Sequence, residues 1–256
     1  MRILITNDDG IYAEGIRELA LALKAAGHDI FIAAPSANQS CVSHGLTLRR
    51  PLYVDSVALP GLDGIPTYSI SGTPADCVRL SIGNLGASPE VIVSGINHAP
   101  NLGTDAVYSG TVSAAIEGYM IDIPSIAVSK DTFLVEYMSD AAAYFSDLLP
   151  ELMRFFDKGP GMLNVNIPSK PASLYKGVRV ARTALQVYHL KYIESFDDDG
   201  RTCYTVRSEK LTECGENEET DEKMMRDGFV VVTPLTYDIT EYETFDRAKN
   251  MFERDY

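Results

Sequence analysis

The first 35 residues constrain the fold most strongly, because they hold a strand, an amphipathic helix and a second strand. Ile3-Leu4-Ile5-Thr6 is apolar or β-branched and runs into Asn7-Asp8-Asp9-Gly10. Ile16, Leu19, Ala20, Leu23 and Ala26 then recur at helical spacing, and Gly27 supplies a stop. Asp29-Ile30-Phe31-Ile32-Ala33-Ala34 is the second strand, ended by Pro35. A β-α-β unit this short opens a parallel sheet with right-handed crossovers. Ligands of open α/β sheets sit beyond the carboxyl ends of the strands. Buried charge is costly unless it is paired or bound to metal, so two adjacent carboxylates at a strand tip need a reason. One reading is that Asp8 and Asp9 hold a divalent cation. The other is that one caps the following helix while its neighbour is solvated.

The α/β pattern continues along the chain. Leu48 to Val54 and Thr67 to Ile70 are strand-like pieces around the turn-rich Leu59 to Gly64. Thr73 and Pro74 suit the cap and first turn of a helix, with Asp76 in the capping-box place. Glu90 to Asn97 is a further parallel-type strand with a polar tip, and Ser109 or Thr111 starts a helix rich in small residues. Pro124 to Ser129 is another strand. Residues 137–156 place Ala142, Phe145, Leu148, Leu149, Leu152 and Phe156 on one stripe, and Met162 to Pro168 is a strand stopped by proline. Residues 178–215 then read as a hairpin excursion, with Val178 to Ala181 and Cys203 to Val206 as β-type pieces around Asp197-Asp198-Asp199-Gly200. Glu213 to Asp221 reads as solvated acidic chain. Asp227 to Pro234 holds a late strand, and Tyr242 to Tyr256 a final amphipathic helix. The hairpin and terminal helix are expected to be arms that form a dimer.

A formal net charge of -14 disfavours a DNA or RNA polymer as partner, but leaves room for a small phosphate-bearing substrate held by local donors or a metal. The 4 cysteines, at 41, 77, 203 and 214, form no CxxC pair, and Cys77 lies in an apolar segment. A reducing cytoplasm is the expected setting. The chain opens into a strand rather than a signal peptide, and no stretch approaches a membrane span, so a soluble protein is expected.

Three polar clusters follow three predicted strands: Asp8-Asp9, Asn38 to Ser43, and Asn97. Their hard oxygen donors suit Mg²⁺, Mn²⁺ or Ca²⁺, and no zinc-type His/Cys cluster is present. His28 and His189 read as structural, whereas His44 and His98 lie in loops at the same edge. Ser109-Gly110-Thr111 at a helix start offers N–H groups, hydroxyls and a helix dipole to phosphate, and Ser71-Gly72-Thr73 offers a similar set. Both are equally routine helix caps. Walker A and Gly-x-Gly-x-x-Gly patterns are missing.

Several longer motifs in order carry a resemblance. Thr6-Asn7-Asp8-Asp9-Gly10, Gly72-Thr73-Pro74-Ala75-Asp76-Cys77-Val78, Val93-Ser94-Gly95-Ile96-Asn97, Asn101-Leu102-Gly103 and Tyr108-Ser109-Gly110-Thr111-Val112-Ser113-Ala114-Ala115 resemble the SurE family of survival-protein nucleotidases. The likeness covers about the first 130 residues closely, and returns at Asn164-Val165-Asn166-Ile167-Pro168 and Val232-Thr233-Pro234-Leu235. It implies a Rossmann-like, three-layer αβα body with a parallel sheet, a projecting β-hairpin and a C-terminal helix exchanged between subunits of a homodimer or homotetramer. Residues 1–175 would form the catalytic core, and 176–256 the hairpin, the late core strand and the oligomerisation segment. The implied activity is metal-dependent hydrolysis of nucleoside 5'-monophosphates, extending to 3'-monophosphates and short polyphosphate. Asp8, Asp9, Ser40 and Asn97 would hold one Mg²⁺ or Mn²⁺ per subunit, with Ser43 an alternative to Ser40. Asn101, Ser109, Gly110 and Thr111 would bind phosphate, while Asp8, Asp9, Asn97 and His98 would serve catalysis. Asp9 would orient the attacking water, or Asp8 would attack directly, and His98 would protonate the leaving oxygen.

Some positions depart from the family pattern. Ser36 replaces the usual acidic residue, Gln39 and His98 replace usual basic ones, and Arg182-Thr183-Ala184-Leu185 stands where Thr-Arg-Leu-Gly or Thr-Arg-Ile-Gly is usual. These changes spare the metal set and remove positive charge beside the loop. They motivate a rival reading, a catalytically weak metal- and nucleotide-binding module. A structural oligomer is a second rival.

Overall fold

The computed structural model describes residues 1–131, 136–186, 188–210 and 219–253. These residues hold eleven strands and six α-helices: β1 (Arg2–Thr6), α1 (Glu14–Ala25), β2 (Asp29–Pro35), β3 (Val54–Ser56), β4 (Thr67–Ile70), α2 (Pro74–Gly83), β5 (Val91–Asn97), α3 (Gly110–Met120), β6 (Ser125–Lys130), α4 (Met138–Arg154), β7 (Met162–Ile167), β8 (Val178–Val180), β9 (Tyr188–Phe196), β10 (Thr202–Lys210), α5 (Asp221–Asp227), β11 (Val230–Leu235) and α6 (Tyr242–Phe252). Nine strands form one sheet in the order β3-β4-β2-β1-β5-β6-β7-β11-β8. The run from β4 to β7 is parallel throughout, β11 returns antiparallel to β7, and β3 pairs antiparallel with β4.

Period-2 alternation within β1 divides the core. Ile3 and Ile5 point into a cluster with Leu19 and Leu23 of α1 and Phe145 and Leu149 of α4. Leu4 faces the other way, onto Cys77 and Val78 of α2 and Ala114 of α3. Helices therefore cover both faces of the sheet, as the near-continuous apolar strands require. The stripe foreseen on residues 137–156 is buried, with Phe156 in a 3₁₀ turn beyond the end of α4. Among the described residues, no helix is long and apolar enough to cross a membrane.

The structure corrects four local readings. Of Leu48 to Val54 only Val54 enters a strand, because Pro51 lacks a donor and the segment lies over the surface. Val178 to Val180 is not part of the excursion: β8 pairs parallel with β11 at the edge of the main sheet. The hairpin is instead β9 and β10, whose nine paired residues project with largely exposed side chains. Asp221 is fully buried rather than solvated, and opens a helix, α5, that the residue pattern did not announce. Residues 213–218 of the acidic stretch and Cys214 lie outside the described residues, as do residues 254–256 of the expected terminal helix. Cys77 is buried as expected, while Cys41 and Cys203 are exposed.

Candidate active site

The carboxyl end of β1 stops at Thr6, and Asn7 folds a tight turn there. Its side-chain amide donates to the Gly10 carbonyl at 2.9 Å, and its Oδ1 accepts from the Gly10 N–H at 3.2 Å. This turn aims Asp8 at the N-terminus of α3. The Thr111 N–H donates to Asp8 Oδ2 at 3.0 Å, and the Thr111 hydroxyl donates to Oδ1 at 2.6 Å. A Cβ on Gly110 would lie 2.8 Å from the Asp8 Cβ, so only glycine allows the helix this close. Ser109 caps α3 by accepting from the Val112 N–H at 3.1 Å, which leaves its hydroxyl proton to donate elsewhere.

Burial dominates the electrostatics. It pushes the Asp8 carboxyl up to about 6, against the Thr111 bonds that favour the charged form. Asp9 adds repulsion to Asp8, and its own carboxyl is also pushed up by burial, with His98 opposing. The His98 N–H donates to Asp9 Oδ2 at 3.1 Å, but the buried His98 Nε2 has no hydrogen-bond partner among the described residues.

The other two loops converge on the same edge. After β2, the Gln39 N–H donates to the Asp8 carbonyl at 2.7 Å, and the Ser40 N–H donates to Asn38 Oδ1 at 2.8 Å. Ser43 turns away: its hydroxyl donates to the Val107 carbonyl at 2.8 Å, and its N–H donates to the Tyr108 carbonyl at 3.0 Å. At the tip of β5, Asn97 donates its amide to the Ala99 carbonyl at 2.6 Å, leaving its own side-chain oxygen as an acceptor. Asn97 is in register with Ser129 of β6, and Ser129 with Asn166 of β7. Asn101 lies over these neighbours. Its amide donates to Ser129 Oγ at 2.7 Å, its N–H donates to Asn166 Oδ1 at 2.9 Å, and its carbonyl accepts from Asn164 at 2.8 Å.

Asp8 is therefore hydrogen-bonded to Gln39 and Thr111 at one sheet edge, and its chain neighbour Asp9 to His98. Ser71-Gly72-Thr73 serves a different purpose. Thr73 and Asp76 complete a capping box at α2, and Asp76 also accepts from the Thr47 N–H at 3.0 Å. Glu117 of α3 is a functional neighbour that sequence reasoning missed. Its buried carboxylate accepts from His44 at 2.6 Å and pairs with Arg79, holding the loop after β2 onto two helices. Asn164 and Asn166, two polar residues on one face of a buried strand, were the available signal for the Asn101 cradle.

The donor set fits a hard divalent cation. Two desolvated carboxylates stand together, and among the described residues no lysine or arginine pairs with either. The Asn97 and Ser40 oxygens are neutral and also hard. Among the described residues no three His, Cys, Asp or Glu side chains are arranged to hold a metal ion by themselves.

A family model described as survival protein SurE matches residues 3–190. The chain belongs to the SurE family. Curated SurE relatives agree over nearly the whole length. A protein of Alkaliphilus metalliredigens named 5'-nucleotidase SurE is 40% identical, over 98% of both chains. One of Desulfitobacterium hafniense with the same name is 41% identical, over 94% of this chain and 93% of its own. The crystal structure of the SurE protein from Aquifex aeolicus superposes with a TM-score of 0.82 at 34% identity, covering 99% of this chain and 100% of that one. The mixed α/β body, the mostly parallel sheet and the separate hairpin thus belong to a shared SurE fold.

Proposed function

We propose that this chain is a metal-dependent 5'-nucleotidase, hydrolysing nucleoside 5'-monophosphates to nucleoside and inorganic phosphate. The observation that carries the reading is the pair of desolvated adjacent carboxylates, with Asp8 bonded to the N-terminus of α3 and Asp9 to the loop after β5. The names of the curated relatives point to the same activity. Asp8, Asp9, Ser40 and Asn97 would hold one Mg²⁺ or Mn²⁺. The commitment of the Ser43 hydroxyl to Val107 supports Ser40 as the serine donor. When bound, the cation supplies Lewis-acid stabilisation of charge on the phosphoryl oxygens.

The chain's own residues supply the rest. The Gly110 N–H and Ser109 hydroxyl meet the phosphate at the positive end of α3 and take up charge on its equatorial oxygens. Thr111 spends both of its donors on Asp8, so in the metal-free protein it acts by holding that carboxylate still. Asn101 shapes the far wall through Ser129 and Asn166. Asp9, which accepts the His98 N–H on one oxygen and makes no second hydrogen bond among the described residues, orients and deprotonates the attacking water. Water attacks phosphorus in line, the ester P–O bond breaks, and the departing alkoxide takes a proton from the unpartnered His98 Nε2. Direct attack by Asp8 is the competing route, and the two Thr111 bonds to its oxygens count against it. We also assign the division at residue 175, cytoplasmic residence, and a homodimer or homotetramer joined through the hairpin and C-terminal segment.

The test is phosphate release from 5'- and 3'-nucleoside monophosphates, short polyphosphate and p-nitrophenyl phosphate, with Mg²⁺, Mn²⁺ or EDTA, beside Asp8→Asn. Release that needs metal, favours 5'-monophosphates and is lost in the variant supports the proposal. Metal binding without release of phosphate from any of these would favour the binding-module reading that Gln39 and His98 motivate.

A further inference from the structure

Asp221 is a fully buried carboxylate that the reaction above does not use. Its Oδ2 accepts from the Gly103 N–H at 2.7 Å. Its Oδ1 accepts from the Ala184 N–H at 2.9 Å and the Glu222 N–H at 2.8 Å. One side chain thus ties together the loop after β5, the connection between β8 and the hairpin, and the start of α5. The junction is crowded as well as bonded. Gly103 takes a φ of +54°, and a Cβ there would lie 2.5 Å from the Ala184 carbonyl oxygen. The loop past Gly103 is fastened to the same support. The Thr104 hydroxyl donates to the Gln186 carbonyl at 2.9 Å, and the Tyr188 hydroxyl donates to Asp105 at 2.8 Å. Six residues beyond Gly103 the chain reaches Ser109, the cap of α3.

We propose that Asp221 is a positioning residue for the anion-binding entry of α3. By holding Gly103 and Ala184 at once it fixes the path of residues 103–108, and so the orientation of the Ser109 and Gly110 donors, against the base of the hairpin. The proposal rests on the phosphate-binding reading of α3. Its consequence is that phosphate affinity depends on a residue that touches neither phosphate nor metal. Asparagine at 221 would turn an N–H donor toward either the Gly103 N–H or the Ala184 and Glu222 N–H groups, and leave at least one amide unpaired. The associated cost of a lost buried hydrogen bond corresponds to about a tenfold change in an equilibrium.

The experiment compares the full-length protein with Asp221→Asn and with Tyr188→Phe, a milder variant that loses only the hydroxyl at the hairpin base. Five quantities are read with Mn²⁺ present: KM and kcat for 5'-AMP, the inhibition constant of inorganic phosphate, Mn²⁺ affinity by titration, and amide exchange of residues 103–108. For Asp221→Asn the expected result is a rise of about tenfold in KM and in the phosphate inhibition constant, kcat within about threefold, and unchanged Mn²⁺ affinity. Exchange across 103–108 is faster. Tyr188→Phe shifts the same quantities in the same direction by about two- to threefold, as expected for one partly buried hydrogen bond. A merely structural Asp221 would lower the melting temperature while leaving the phosphate constant and the exchange of 103–108 as in the parent, and that result overturns the proposal. If Asp221→Asn does not fold, an unaltered phosphate constant in Tyr188→Phe overturns it. Absence of AMP turnover in the parent would sink the nucleotidase reading alone, because phosphate affinity, then read by direct titration in place of the inhibition constant, and amide exchange still decide the role of Asp221.

Discussion

Asp8 shows how a single residue trades stability for a site. Its carboxyl is held up at about 6 by burial, above its unfolded value, so the folded protein prefers the proton. The sign follows: without metal, stability falls as pH rises from about 4 to about 6, and the loss is complete above that. The cost at neutral pH has an upper bound of about 3 kcal/mol. Asparagine carries no charge, and can still accept from the Thr111 N–H while donating to its hydroxyl. Asp8→Asn is therefore expected to melt higher than the parent at pH 7.5 in EDTA, with the gap closing toward pH 4.5. Mn²⁺ should raise the melting temperature of the parent and leave the variant where it was. A variant less stable than the parent at pH 7.5 would contradict this account. Gly110→Ala tests the close approach of α3 directly. Overpacking against the Asp8 Cβ should cost about 1–3 kcal/mol in stability. Displacing the donors by about an ångström should lower kcat/KM by about 100-fold. Near-parental turnover in that variant would mean the contact is not needed for catalysis.

At the scale of elements, local signals worked where one element specifies itself. Thr73, Pro74 and Asp76 announced the start of α2, and the capping box is present. Asp76 also carries the Thr47 amide, so Asp76→Ala loses a cap and orphans a second donor. A destabilisation of about 2–4 kcal/mol is expected in urea unfolding, and a loss below 1 kcal/mol would show that the second bond contributes nothing. Other elements depend on partners distant in sequence, and these were not legible. Val178 to Val180 has the pattern of any short strand, and only its pairing with Val230 to Val232 makes it part of the main sheet. Asp221 sits beside an acidic run and looked solvated, yet the amides of Gly103 and Ala184 bury it. The same logic explains the site. Asp8, Asp9 and Asn97 were legible because they end strands of a parallel sheet. Glu117 was not, because its partners His44 and Arg79 meet it only after the loop and two helices have packed.

For the molecule as a whole, the hairpin and the C-terminal segment both carry exposed apolar side chains. On the hairpin, Tyr192, Phe196, Tyr204 and Val206 are exposed, and α6 buries none of its residues while presenting Phe245, Met251 and Phe252. Exposed apolar surface on this scale points to a covering partner, and our proposal supplies it with a second copy of the chain. Sedimentation at micromolar concentration is expected to give a dimer or larger. Removal of residues 236–256 is expected to shift it toward monomer while the body stays folded. A monomeric full-length protein would reject the assembly.

The Asp221 junction also says something about birth order. Asp8 meets Thr111 as soon as about the first 110 residues have been made, but Gly103 waits a further 118 positions for its carboxylate. Chains are synthesised from the N-terminus and tend to fold as they emerge. On the ribosome, then, the metal donors can gather early, whereas the bolt that aligns the phosphate donors arrives almost last. A nascent chain of this protein would hold its cation before it could hold its substrate.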